Sequence, residues 1–162
     1  MIYTIGGVGT ETIEIFNIFS NSWIIGKGIP DEFSVGVTCV AVKKRYIYLF
    51  GGMANDISTN RILRIDTVKN VYTSVELGGE GGWNYGAITL SQKDDSIQIL
   101  VFGGQNNTWD YLSRSLIFQT SLSDISTSSF LPTSNMLCTD DFFPFNNAYF
   151  EGEKIIISGQ SA

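Results

Sequence analysis

The chain contains no histidine. That removes the commonest general base near neutral pH and the commonest metal ligand. Ser-His-Asp and Cys-His nucleophile arrangements go with it. Cysteine is nearly absent too. Cys39 and Cys138 lie far apart without metal-site spacing, so neither a zinc site nor a stapled secreted scaffold is expected. Cys39 sits in the apolar run Val37–Val42 and reads as a buried small hydrophobe, with a disulfide to Cys138 as the alternative. Charge is sparse and leans acidic, with 16 Asp and Glu against 10 Lys and Arg, a net −6. Lys43-Lys44-Arg45 is the one basic cluster and reads as a turn. No basic stripe is present to neutralise phosphates, so neither nucleic acid nor an anionic membrane surface is an expected partner. The start of the chain has no basic segment leading into an apolar run. No stretch approaches the roughly 18 apolar residues of a membrane-spanning helix, and a cytoplasmic location is expected. Asn106-Asn107-Thr108 matches a glycosylation acceptor, a pattern that carries no weight in a cytoplasmic protein. Helical spacing of apolar residues is missing almost everywhere.

What the chain has is a recurring glycine pair at the end of short apolar strands. Ile2–Ile5 runs into Gly6-Gly7, Tyr46–Phe50 into Gly51-Gly52, and Ile97–Phe102 into Gly103-Gly104. A degraded copy, Ile155–Ser158, runs into Gly159-Gln160. The first glycines are spaced 45, 52 and 56 residues apart, long enough for one four-stranded unit each. Turn-rich stretches divide the chain into units at about 1–30, 33–78, 83–132 and 145–162, with three, four, four and two strands. A four-stranded sheet cannot bury both faces alone, so the units are expected to stack. Small residues suit the crowded first strand of each unit. Gly36-Val37 aligns there with Gly86-Ala87 and Asn147-Ala148. Trp23, Tyr72 and Phe130, in the fourth-strand region of their units, are expected to fill the gaps between neighbouring sheets.

An apolar strand, Gly-Gly, a variable loop, then a third strand and a fourth carrying an aromatic is a pattern that resembles the kelch repeat. Gly6-Gly7 with Trp23 is the cleanest instance. Tyr72 and Phe130 depart from the usual Trp, and Gly159-Gln160 from the usual pair. Asn55-Asp56-Ile57 and Asp110-Tyr111-Leu112 resemble the segment that introduces the third strand in many members. The resemblance spans nearly the whole chain. It implies an all-β fold: a kelch-type β-propeller segment of four-stranded antiparallel blades in one partial domain, 1–162, with the first and last blades incomplete. Kelch propellers usually have six or seven blades. Three arrangements therefore compete: part of a longer propeller, a ring completed by self-association or another fragment, and a small or open assembly.

Candidate chemistry is thin. Asp140-Asp141 and Asp94-Asp95 read as solvated turns. Gly78-Gly79-Glu80-Gly81-Gly82 lacks the Lys-Ser/Thr and helix of a phosphate cradle and reads as a crossing between units. Galactose-oxidase-like copper enzymes with kelch propellers need histidines that this chain does not supply. No residue matches a motif of the related sialic-acid epimerases, and no BTB or BACK domain is present. No catalytic residue, metal or cofactor is expected. The loop Gln105–Tyr111 is the best candidate for recognition. Trp109, Tyr111, Asn107 and Asp110 combine aromatic anchors with amide and acid groups, the mixture that suits a protein or peptide partner. Asn55 and Asp56 in the matching loop of the second unit are expected beside them. Phe142, Phe143 and Phe145 read as filling between units. The expected function is a non-catalytic interaction module. The alternative is part of an enzyme or carbohydrate-binding propeller whose site is completed by further blades.

Overall fold

The computed structural model describes residues 1–76, 80–133, 142–151 and 154–161; for Pro132 and residues 142–161 it describes the backbone course alone. The protein is all-β. Among the described residues the only helical pieces are 3-10 turns at Asp31–Phe33 and Ile125–Thr127. The first sheet is β1 (Ile2–Ile5), β2 (Ile13–Asn17) and β3 (Ser22–Ile25). Between the first and second sheets the chain passes through the Asp31–Phe33 turn. The second sheet is β4 (Thr38–Val42) and β5 (Tyr46–Phe50), then a two-residue-strand hairpin, β6 (Met53–Ala54) and β7 (Ile57–Ser58), then β8 (Arg61–Asp66) and β9 (Val71–Glu76). Its order is β4-β5-β8-β9, and the hairpin stands apart as its own ladder. The third sheet is β10 (Gly86–Lys93), β11 (Ser96–Phe102), β12 (Ser115–Ser121) and β13 (Ser129–Pro132). The pair β14 (Phe142–Glu151) and β15 (Lys154–Ser161) forms a fourth sheet. Every pairing is antiparallel and follows chain order.

The central strands of the second sheet, β5 and β8, are buried on both faces, which explains their continuous apolar runs. Ile47, Leu49, Leu63 and Ile65 pack against Ile13, Ile29 and Phe33 on the first-sheet side. Val42, Tyr48, Phe50 and Ile62 pack against Ile97, Ile99, Val101 and Phe118 on the third-sheet side. Alternation along β5 sends odd residues one way and even residues the other. Phe118 is the hub of the second interface. It meets Phe50 edge-on at 5.2 Å and Phe130 at 5.7 Å, with Tyr48 at 5.9 Å.

The glycine pairs have a visible reason. The ring of Tyr85 lies against Gly51 and Gly104. A Cβ would come 2.7 Å from that ring at Gly51 and 2.5 Å at Gly104, and both residues hold positive φ, +64° and +92°. These turns end β5 and β11 and leave the slot the tyrosine occupies.

Three expectations need correction. Gly36 does not align with Gly86. Thr38 faces Phe50 as Gly86 faces Phe102, so Gly36 matches Asn84, and both of these adopt a left-handed backbone. Cys39 is not buried, because β4 turns Thr38, Val40 and Val42 toward the third sheet and leaves Cys39 exposed on the other face. Neighbouring apolar groups nonetheless push its thiol pKa up. Cys138 lies outside the described residues, as do Asp140-Asp141 and Gly78-Gly79. Trp23 does not fill a gap between sheets. Tyr72 packs into the cluster between the first and second sheets, its hydroxyl donating to the Lys27 carbonyl at 2.7 Å, and Phe130 packs into the cluster between the second and third. Trp23 holds the matching place in the first sheet, and among the described residues no other sheet covers it. It is 56% exposed and stacks on Phe16 at 5.0 Å. Phe142, Phe143 and Phe145 fall in β14, where only the backbone is described.

The outer edge of β1 pairs with no strand among the described residues, and a groove of about 480 Å³ opens beside it, over Ala41, Ile47 and Lys44. Burial sets the stability ranking. Phe118→Ala is expected to lower the unfolding free energy in denaturant by about 3–5 kcal/mol. Trp23→Ala should cost less than about 1 kcal/mol. Equal losses would contradict this assignment of the core.

Candidate functional site

Beyond Gly103-Gly104 the chain forms a small, internally bonded loop. Gln105 is buried, and its backbone exchanges hydrogen bonds with Trp83 at 3.0 and 2.8 Å. The Asn106 side-chain oxygen accepts from the Thr108 N–H at 3.0 Å, the Thr108 hydroxyl at 2.8 Å and the Asp110 N–H at 2.9 Å. Asn and Asp are suited to such local caps because a short side chain can mimic the backbone. The loop closes with the Asn106 N–H on the Asp110 carbonyl at 3.1 Å.

Trp109 stands at the crest with a positive φ of 67°. Its indole meets Trp83 edge-on, with centroids 4.8 Å apart and planes at 85°. It remains 55% exposed, whereas Trp83 is 7% exposed. One face of the loop is therefore anchored and the other offered to solvent. The Asp110 carboxylate accepts from the Thr108 hydroxyl and, at 3.3 Å, from the Asn106 amide. These bonds, the Thr108 hydroxyl first, hold its pKa below the usual aspartate value.

Asn107 joins two loops. Its side-chain oxygen accepts the Ser58 backbone N–H at 2.6 Å, across from β7. Asn55 and Asp56 form the tight turn of the β6–β7 hairpin, with φ of 51° and 61°, the left-handed pair such a turn requires. Both are exposed, and Ile57 beside them is 67% exposed. Asn55, Asp56, Asn107, Trp109 and Asp110 are thus carried on two adjoining loops. Tyr111 sits half-buried behind them, bridged to Gln105. Beside the hairpin a groove of about 500 Å³ runs past Asn55, Ile57, Asn60 and Arg61. Its floor includes an ion pair, Arg61 to Glu32 at 2.6 Å.

Sequence reasoning missed the Trp83 platform and a second basic position. Ile62 faces Phe50 as Ser115 faces Phe102, so Arg61 and Arg114 hold equivalent places in successive units. That repeat was visible as an arginine at the threshold of each third strand. Arg114 donates to the Tyr85 hydroxyl at 2.7 Å. Among the described residues, no group of three or more Cys, Asp or Glu could hold a metal ion, and no helix is long and apolar enough to cross a membrane. The chain matches no family model, and no curated protein matches it significantly.

Asn107→Ala leaves the Ser58 N–H without its acceptor. Hydrogen exchange at Ser58 should accelerate at least tenfold while exchange in β11 stays unchanged. Asp110 supplies a pH signature. Its lowered pKa means that its stabilisation is complete above the ordinary Asp value of about 3.9 and is lost as pH falls through the lower folded value. An NMR titration should place the Asp110 midpoint below the ordinary Asp value, and Thr108→Ala should raise it.

Proposed function

We propose that the sheets are blades of a kelch-type β-propeller segment, and that the protein is a non-catalytic module which presents its loops to a polypeptide partner. Support for the propeller comes from three repeating relations. Gly51-Gly52 and Gly103-Gly104 each end the second strand of a four-stranded sheet. The fourth-strand aromatics Tyr72 and Phe130 each pack into the apolar cluster shared with the preceding sheet. First strands neighbour one another, β4 beside β10 and β10 beside β14. Sheets related in this way converge on one side and splay on the other.

The observation that carries the functional reading is the half-exposed Trp109 on a loop tied to its neighbour by Asn107. A rigid aromatic with polar groups around it is the composition of a binding hot spot. Trp109 would bury in the partner, while Asn55, Asp56 and Asp110 would fix register through hydrogen bonds.

Peptides selected from a displayed library against the intact chain test this reading. Trp109→Ala should weaken the selected peptides by at least about thirtyfold, near 2 kcal/mol, and leave the thermal midpoint within a few degrees. Peptides that bind the variant as tightly as the parent would overturn the assignment. So would a fall in stability equal to that of Phe118→Ala, which would make the indole a packing residue.

A further inference from the structure

A second recessed feature lies between the second and third sheets, away from Trp109. Phe50, Val101, Phe102 and Phe130 wall a cavity of about 90 Å³, several times the room one water requires. Two arginines, Arg61 and Arg114, border it, with Glu80. Their situations differ. Arg61 is spoken for, with one nitrogen on Glu32 at 2.6 Å and another on the Ser74 hydroxyl. Arg114 has no carboxylate partner among the described residues. The ion pairs there are Arg45–Asp66 and Arg61–Glu32.

The unmet demand of Arg114 is specific. One terminal nitrogen donates to the Tyr85 hydroxyl at 2.7 Å, and the guanidinium lies 5.8 Å from the centre of that ring. Its Nε–H is shut off from solvent and has no hydrogen-bond partner among the described residues. A buried donor on a charged group costs more than a neutral one when left unpaired, so such orphans call for an acceptor. The acceptor that fits a guanidinium edge is a carboxylate, whose two oxygens match two parallel N–H groups. The aromatic and aliphatic walls add a demand of their own, since they reward an apolar stem behind the charged head. Tyr85 holds the guanidinium in place, because its ring is clasped by Gly51 and Gly104. Glu80 is exposed, at the mouth, and makes no ion pair with either arginine. Its charge opposes an incoming anion and sets a ceiling on affinity.

We infer that this cleft is a binding site for a carboxylate carried on an apolar stem, with Arg114 as the anion anchor and Phe50, Phe102 and Phe130 as the wall for the stem. The site does not include Trp109 or its loop and stands or falls separately from the rim.

The test uses 3-phenylpropionate and its uncharged isostere 3-phenylpropanamide as probes, titrated onto the isotope-labelled full chain and followed at the Arg114 Nε–H resonance. The acid should bind at least tenfold more tightly than the amide and shift that resonance. Arg114→Gln should weaken the acid at least tenfold, and Arg114→Lys should recover part of the loss. Glu80→Gln should tighten the acid several-fold, an effect that a damaged fold would not produce. Equal binding of acid and amide would overturn the proposal, as would undiminished binding of the acid to a folded Arg114→Gln variant or weaker binding to Glu80→Gln. The acid–amide comparison needs no variant and decides the matter even if Arg114→Gln does not fold. A third probe, acetyl-Phe-Asp-Phe-amide, identifies the source. Tighter binding than the free acid assigns the carboxylate to a polypeptide, and weaker binding assigns it to a small molecule.

Discussion

The rest of this structure depends on a strand that has no solvent-facing side. In the second sheet β5 buries Ile47, Tyr48, Leu49 and Phe50 in succession. A strand of that kind cannot exist without cover above and below, so the flanking sheets are conditions of its folding. The cost falls on polar groups. The Tyr48 hydroxyl is buried with no hydrogen-bond partner among the described residues, and burial raises its pKa to about 12. A raised value means the neutral phenol is favoured in the fold. Its contribution is intact below the ordinary pKa of about 10 and disappears as pH climbs through the higher one. The chain tolerates this orphan because the same ring packs beside Phe118, at the centre of the second interface.

Much of the architecture was legible in the sequence because glycine and alternation are local signals. Three apolar strands ending in Gly-Gly declared themselves, and so did the turns at Asn21, Lys43-Lys44 and Asn70, all of which adopt left-handed backbone. Relations between units were less legible. The alignment of first strands slipped by two residues because Gly36 and Gly86 look alike in sequence. Glycine at one serves a left-handed turn, and at the other it serves contact with the Phe102 ring. Trp23 and Cys39 were misplaced for a shared reason. Each has the right residue type for burial, yet its neighbour across the interface is missing from the described fold, and a residue type carries no information about a neighbour.

The candidate sites divide in the same way. The rim loop could be read because it concentrates Trp, Asn and Asp within a few residues, where a solvent-facing turn is the simplest account. The arginine cleft could not. It is assembled from residues as far apart as Phe50 and Phe130, and its distinguishing property is an unanswered hydrogen bond. That property belongs to three-dimensional neighbours and leaves no mark on composition or spacing. The only trace was the repeated position of Arg61 and Arg114, which becomes meaningful once strand register is known.

The bond from Asn107 to Ser58 has a consequence for the thermodynamics of association. A free loop loses conformational entropy when a ligand fixes it, and that loss subtracts from affinity. Here the left-handed residues, the Asn106 cap and the link between hairpin and loop remove that freedom during folding. A ligand of the proposed site would therefore meet loops already ordered, and discrimination between ligands would rest on shape more than on adaptability.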